Sequence, residues 1–312
     1  LNMNKLRKIG LTALAGSLVA SSVYAGELSV SGSWSLSYGT EDSDEVTGNP
    51  WSMGDSVNFS GSGETDQGYT VGVTYELDGG TYDDYKLTLD TGDIGKFTFS
   101  GASVGSSGLK AYANQVPNAA SAVYGSMDSS NDNGVVGAGS TTGSWGYDYT
   151  TGDLTVSAYY APEGADGATT GNDNSWAIVY TGLMDGLTVG AGMGEKGATQ
   201  DEETMWAKYV VGSITLGYQR SKIDYTASGT GDEQADHVGV SVAINDSLSV
   251  STGRQVVDMG GTTASDETST GVSASYTVGS MKITGFANKT DDGDGTSGKN
   301  DASKGMTLSF TF

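Results

Sequence analysis

The stretch Leu28-Ser-Val-Ser-Gly-Ser-Trp-Ser-Leu-Ser-Tyr38 decides the fold. Leu28, Val30, Trp34, Leu36 and Tyr38 hold alternate positions, and Ser29, Ser31, Ser33, Ser35 and Ser37 fill the places between them. A strand sends successive side chains to opposite faces, so this segment has one apolar face and one hydroxyl-lined face. The same period of two returns in Tyr69, Val71, Val73, Tyr75 and Leu77, and in Trp145, Tyr147 and Tyr149. It returns again in Leu154, Val156, Ala158 and Tyr160, and in Val238, Val240, Val242 and Ile244.

The connections follow a rhythm of their own. Tight turns fall at residues 65–67, 90–93, 150–153, 182–186, 212–213, 245–247 and 279–280. Between them lie stretches rich in Gly, Asp, Ser and Thr, at 39–53, 161–173, 222–235, 256–268 and 288–303. The spacing predicts strands over 27–39, 54–64, 68–78, 82–90, 94–101, 143–150, 153–161 and 174–182. It predicts further strands over 186–193, 203–212, 213–222, 236–244, 247–256, 269–278, 280–288 and 304–312, sixteen in all. An even count with short turns at one end and long loops at the other is the expected signature of a transmembrane antiparallel β-barrel.

The beginning of the chain assigns a compartment. Lys5, Arg7 and Lys8 precede an apolar stretch from Ile9 to Val19, and Val23-Tyr24-Ala25 ends it with small residues. This is the pattern of a secretory signal peptide, with cleavage expected after Ala25 and Leu1 and Asn2 lying upstream of its start. The stretch is too short for a membrane-spanning helix, and no later segment is apolar for long enough. Three of the 15 basic residues would leave with the peptide, so residues 26–312 carry 12 against 38 acidic ones, a net charge of −26. That balance argues against nucleic acid as a partner, since no basic stripe is present to neutralise phosphates. The chain has no cysteine, which rules out a disulfide framework. Its 49 Gly, 17 Tyr and only 3 Pro suit strands and turns.

A secreted soluble β-sandwich would also alternate, with its apolar faces forming a dry core. Two features point to the opposite arrangement, in which the apolar band meets lipid and the Ser, Thr and Gly faces meet water. Aromatic residues such as Trp34, Tyr38, Tyr69, Tyr75, Tyr147, Tyr149, Tyr160 and Tyr218 sit on the apolar face, often near strand ends, as an interfacial girdle requires. The chain also alternates to its last residue through Met306, Leu308, Phe310 and Phe312.

The ending Gly305-Met-Thr-Leu-Ser-Phe-Thr-Phe312 resembles the C-terminal strand of outer-membrane proteins. With the leader and sixteen crossings, the chain resembles the general porins of Gram-negative bacteria. The resemblance implies an outer-membrane channel for passive diffusion of ions and small hydrophilic solutes, without enzymatic activity, cofactor or metal. It implies a homotrimer, contacts with lipid and lipopolysaccharide, and recognition of Phe310 and Phe312 as an assembly signal by the barrel-assembly machinery. It also implies that the third external loop, about 102–142, folds into the lumen as the constriction. A loop of this length without regular structure is unusual unless functional. Its candidate constriction residues are Lys110, Tyr112, Tyr124, Asp128 and Asp132, although the Pro-Glu-Phe-Gly-Gly sequence of enteric porins is absent.

Strand parity nominates the pore wall. With Leu87, Phe97, Tyr209 and Ile283 facing lipid, Lys86, Lys96, Lys208 and Lys282 face the lumen, as do Glu76 and Asp148. Lys86 lies in mid-span. Arg220 and Arg254 share the lipid-facing parity near external ends, where long basic side chains reach back to the interface. His237 has inward parity and reads as a pore or rim residue. The sequence Asp291-Asp-Gly-Asp294-Gly lacks the spacing and final Glu of a calcium loop and reads as a solvated turn. The acidic loops predict a mild preference for cations. The alternatives are a substrate-specific channel, a barrel hydrolase, which would have to use His237, and a secreted adhesin.

Overall fold

The computed structural model describes residues 28–41, 48–101, 107–123, 142–164, 171–227, 231–261 and 265–312. The expected signal peptide lies outside them. The strands are β1 Ser29–Glu41, β2 Trp51–Glu64, β3 Thr70–Asp78, β4 Thr81–Asp90, β5 Lys96–Ser100, β6 Ser144–Thr151, β7 Leu154–Ala161 and β8 Asp173–Tyr180. They continue as β9 Leu187–Lys196, β10 Gln200–Val211, β11 Ile214–Tyr225, β12 Glu233–Ala243, β13 Leu248–Asp258, β14 Glu267–Val278, β15 Met281–Asp291 and β16 Asp301–Thr311. Each pairs antiparallel with its sequence neighbours, and β16 returns to β1, so the sheet is a closed sixteen-stranded barrel. Closure removes the edges whose unpaired N–H and C=O groups hydrocarbon could not solvate.

The distribution of exposure is the reverse of a soluble core. Val272 is 56% exposed and Trp34 43%, whereas Ser157, Gln255 and Glu267 are at 0%. Apolar residues therefore cover the outside and polar ones are enclosed, as the alternation predicts. Across the β1–β16 seam Trp34 stands opposite Phe310 and Leu36 opposite Leu308 on the outer face. Ser37 stands opposite Thr307 on the inner face, their hydroxyls 2.9 Å apart. The seam is completed by a pair of 3.0 Å backbone bonds between Gly32 and Phe312. A Cβ at Gly32 would lie 2.6 Å from the Phe312 ring and 2.8 Å from the Ser56 carbonyl, so only glycine fits there.

Strand ends differ from expectation in one systematic way. β2, β10, β12 and β16 each begin three residues earlier than the alternation predicts, and β9, β11 and β15 run three residues further, all at the long-loop end. Most of the added residues are polar, among them Asp201, Asp224 and Asp291. They continue the ladder above the apolar band, where hydropathy carries no signal for a strand. The β3–β4 connection is only Gly79-Gly80, both at positive φ (54° and 78°), which a two-residue hairpin turn demands. Beside it the register shifts between Tyr75 and Leu77, a bulge that sets Asp83 and Asp84 against the single residue Glu76.

Candidate functional site

Asp148 on β6 begins the site. Its carboxylate accepts hydrogen bonds from the hydroxyls of Ser107 (2.8 Å) and Ser157 (2.5 Å). The Ser157 oxygen in turn accepts the Gly108 N–H at 2.8 Å, and Ser175 accepts the Leu109 N–H at 3.0 Å. Here the chain makes a 3-10 turn, Gly108–Tyr112, with Leu109 fully buried. From that turn to Val123 the segment runs over one inward-facing side chain after another. Gln219 of β11 accepts the Gln115 N–H at 2.7 Å and donates to the Tyr112 carbonyl at 2.9 Å. Ser251 of β13 and Ser273 of β14 accept the N–H groups of Ala119 and Ala120. Asn288 of β15 donates to the Ala122 carbonyl at 2.8 Å. An irregular segment cannot pair with itself, so these side chains supply the partners that its backbone needs.

Shape matches the hydrogen bonds. Inward-facing glycines clear a trough for the segment's apolar residues. A Cβ at Gly192 would meet Leu109 at 2.8 Å, one at Gly217 would meet Pro117 at 2.3 Å, and one at Gly239 would meet Val116 at 2.6 Å. Tyr112 stacks on Trp206 of β10, with centroids 4.9 Å apart and planes 15° apart. Burial and the nearby Asp148 charge push the Tyr112 phenol above its ordinary value of 10.0.

Lys110 is half-buried in the 3-10 turn, whereas Tyr124, Asp128 and Asp132 lie outside the described residues. The nominated wall residues take the following places in the register. Lys86 stands opposite Thr74 and Ser100 in the middle of the β3–β4–β5 sheet. Lys96 stands opposite Asp90 and Asp148, Lys208 opposite Thr188 and Gly217, and Lys282 opposite Thr277 and Ser309. Glu76 accepts hydrogen bonds from Ser56 and, at 3.3 Å, from Asn58. Asp148 is not a freestanding wall charge, because it holds the start of the loop segment. His237 is 3% exposed and sits in register between Gln219 and Gln255 on the inner face. Arg220 faces outward as parity predicts, but its guanidinium is held by Asp236 through contacts of 2.8 and 3.0 Å.

Parity alone missed two groups. Asp84 escaped notice because the bulge interrupts the alternation; the structure places ligand atoms of Glu76, Asp83 and Asp84 within 4.8 Å of one another. The seat residues Ser157, Ser175, Gln219, Ser251, Ser273 and Asn288 look like any other inward polar residue in the sequence, so their common task is invisible there. In the 291–300 loop the carboxylates of Asp291, Asp292 and Asp294 are engaged by Lys289, the Gly298 N–H and Lys299, as a turn secured by its own chain would be.

The architecture is shared with solved porins. A refined porin structure superposes with a TM-score of 0.64 at 20% identity, covering 92% of this chain and all of that one. OmpT, an outer membrane protein of Vibrio cholerae, superposes at 0.69 with 14% identity, covering 92% and 98%. The Rhodopseudomonas blastica porin, as a triple mutant, gives 0.66 at 14% identity with 92% and 100% covered. No curated protein sequence matches the chain. Residues 10–312 match the family described as Gram-negative porin, so the chain belongs to the Gram-negative porins and its barrel to the outer membrane.

Proposed function

We propose that this porin passes ions and small hydrophilic solutes by passive diffusion, with a mild preference for cations and with its waist set by the third loop, about 102–142. What supports the reading is the run of hydrogen bonds that seats residues 107–123 along the inner face from β6 to β15, since a segment fixed there would narrow the lumen. Selectivity in such a waist follows from its charge ring and its width. Lys86 shares the β3–β4 wall with Glu76 and Asp84, and further inward acids, Glu202, Glu233, Glu267 and Asp301, stand toward the long-loop end. Asp128 and Asp132 would add to this field from the loop.

A homotrimer is part of the proposal. Asp55 stands on the outer face of β2 opposite Trp34, a charge in an otherwise apolar band that a neighbouring copy would cover. Reversal potentials in a salt gradient across a planar bilayer test the channel reading. Cation preference that weakens at high salt is expected, because screening shortens to roughly 3 Å at 1 M. Asp128→Asn with Asp132→Asn should shift the reversal potential toward anions, and so should Glu76→Gln with Asp84→Asn. Clear anion preference in the unmodified protein would sink the cation claim and point to a waist governed by the lysines. Conductance in steps of three supports the trimer; single steps only would argue against it.

A further inference from the structure

Charge on the inner face of the barrel is distributed unevenly along its axis. At the turn end, Lys96 opens β5, Lys208 lies near the end of β10 and Lys282 near the start of β15. By register they share a face with Asp148, Gly217 and Ser309. Glu64, Asp90 and Asp148 occupy the same face in the same half, opposite Thr70, Lys96 and Ser157. Acids and lysines therefore offset one another there. The acids of the turns themselves lie beyond the strands, where water and salt screen them.

The loop end is different. Strands β10, β12, β14 and β16 each carry an inward acid at or near their first residue: Glu202, Glu233, Glu267 and Asp301. Their register partners Ile223, Val257 and Thr290 bring no compensating cation. Glu202 accepts a hydrogen bond from the Gln200 amide at 2.5 Å, Glu233 from the Tyr225 hydroxyl at 3.3 Å and Glu267 from the Asp294 N–H at 2.9 Å. These contacts hold the side chains at the mouth. Glu76, Asp78 and Asp84 add to them on the β3–β4 wall, with Glu76 and Asp78 opposite Asn58 and Ser56. Asp173 is offset by Lys196, directly opposite it on β9. Lys86 lies between the two ends. Along the axis, a strongly acidic mouth leads into a balanced bore.

Ion transport through two such zones in series is not symmetric. The acidic mouth carries current chiefly as cations, whereas the balanced half carries cations and anions alike. When the field drives cations from the mouth toward the turns, more cations enter the junction of the zones than leave it, and anions arriving from the turn end are turned back. Salt accumulates there and conductance rises. Reversing the field drains both species from the junction, and conductance falls. We propose that this porin rectifies, passing more current when cations move from the loop end to the turn end than when they move the other way. The inference rests on the channel reading of the lumen. It makes Glu202, Glu233 and Glu267, together with Lys96, Lys208 and Lys282, the residues that set the favoured direction.

The test is a planar-bilayer recording of the barrel in a known orientation. Orientation is marked by Ser213→Cys on the β10–β11 turn, biotinylated and bound by streptavidin added to one compartment after the recording. In about 0.1 M KCl, where a charge is felt over roughly 10 Å, currents at equal and opposite voltages should differ roughly twofold, the ratio of two mobile species to one. The difference should vanish at about 1 M, where that reach shrinks to roughly 3 Å. Glu202→Gln with Glu233→Gln and Glu267→Gln should bring the ratio close to unity and lower the cation preference. Lys96→Gln with Lys208→Gln and Lys282→Gln should also bring it close to unity, by making the turn end acidic, while raising the cation preference. Loss of rectification with opposite shifts in selectivity distinguishes two zones in series from a simple change in total charge. Should the acid triple variant fail to assemble, the lysine triple variant decides alone. Larger current in the opposite direction, or a ratio that survives the lysine triple variant, overturns the inference. Cation preference with equal currents in the unmodified barrel overturns it and leaves the channel reading standing. A barrel that passes no ions overturns the channel reading, and this inference with it.

Discussion

Gly32 shows how much rests on one missing methyl group. The seam of the barrel closes where the last residue bonds twice to Gly32 and lays its ring over it, with the Ser56 carbonyl fixed on the other side. The ring could swing away from an added Cβ, but the carbonyl belongs to the β1–β2 ladder and cannot. Gly32→Ala is expected to destabilise the folded barrel by about 1–3 kcal/mol, the usual cost of overpacking. A urea titration followed by heat-modifiable migration on gels measures it, with deletion of Phe312 as a reference that should lower the folded fraction without stopping export. An unchanged midpoint for Gly32→Ala would mean that the seam closes without the contact. Gln255 is the contrasting residue: it is fully buried, and its side-chain amide finds no hydrogen-bond partner among the described residues.

Among the elements, the segment 107–123 has the least structure of its own and the most borrowed support. A helix would satisfy its backbone within itself, and a strand would do so against a neighbouring strand. This segment instead relies on hydroxyls and amides from β7, β8, β11, β13, β14 and β15, and on glycines that let it lie close. Gln219 is its midpoint, serving a donor and an acceptor of the loop with one side chain. Gln219→Ala leaves the Gln115 N–H and the Tyr112 carbonyl without that partner, and loss of a partner for a buried polar group costs about 1–3 kcal/mol. The expected outcome is a noisier open channel with the barrel's thermal stability little changed. Quiet current in that variant would show that the remaining contacts hold the loop by themselves. The alternation in sequence separated the two faces of each strand, but nothing in it distinguished Gln219, which binds the loop, from Ser241, which makes no hydrogen bond to the loop among the described residues.

For the whole molecule, the two faces of the closed sheet answer to different solvents. Val240 and Ser241 are adjacent, yet the first stands opposite Leu216 on the outer face and the second opposite Ser251 on the inner face. Val240→Arg should cost roughly 2 to 4 kcal/mol of folded-barrel stability and Ser241→Arg much less. Refolding equilibria in lipid vesicles measure both, and equal costs would contradict the register. The same division separates functions around the circumference. The proposed copy-to-copy contact lies on the outside of β1–β2, and the permeation path runs in the space within.

What the sequence determined by itself is what depends on local period. Alternation of side chains along a strand is a property of the backbone, so sixteen crossings and their two faces were legible in the sequence alone. Strand ends above the membrane were not, because hydrogen bonding to a neighbour extends a strand through polar residues that hydropathy does not mark. The tertiary structure alone decided which residues distant in sequence meet. Asp148 was joined to Ser107, and Gln219 to Gln115 and Tyr112, by closure of the barrel around the loop. Asp84 was brought to Glu76 by a bulge that breaks the period.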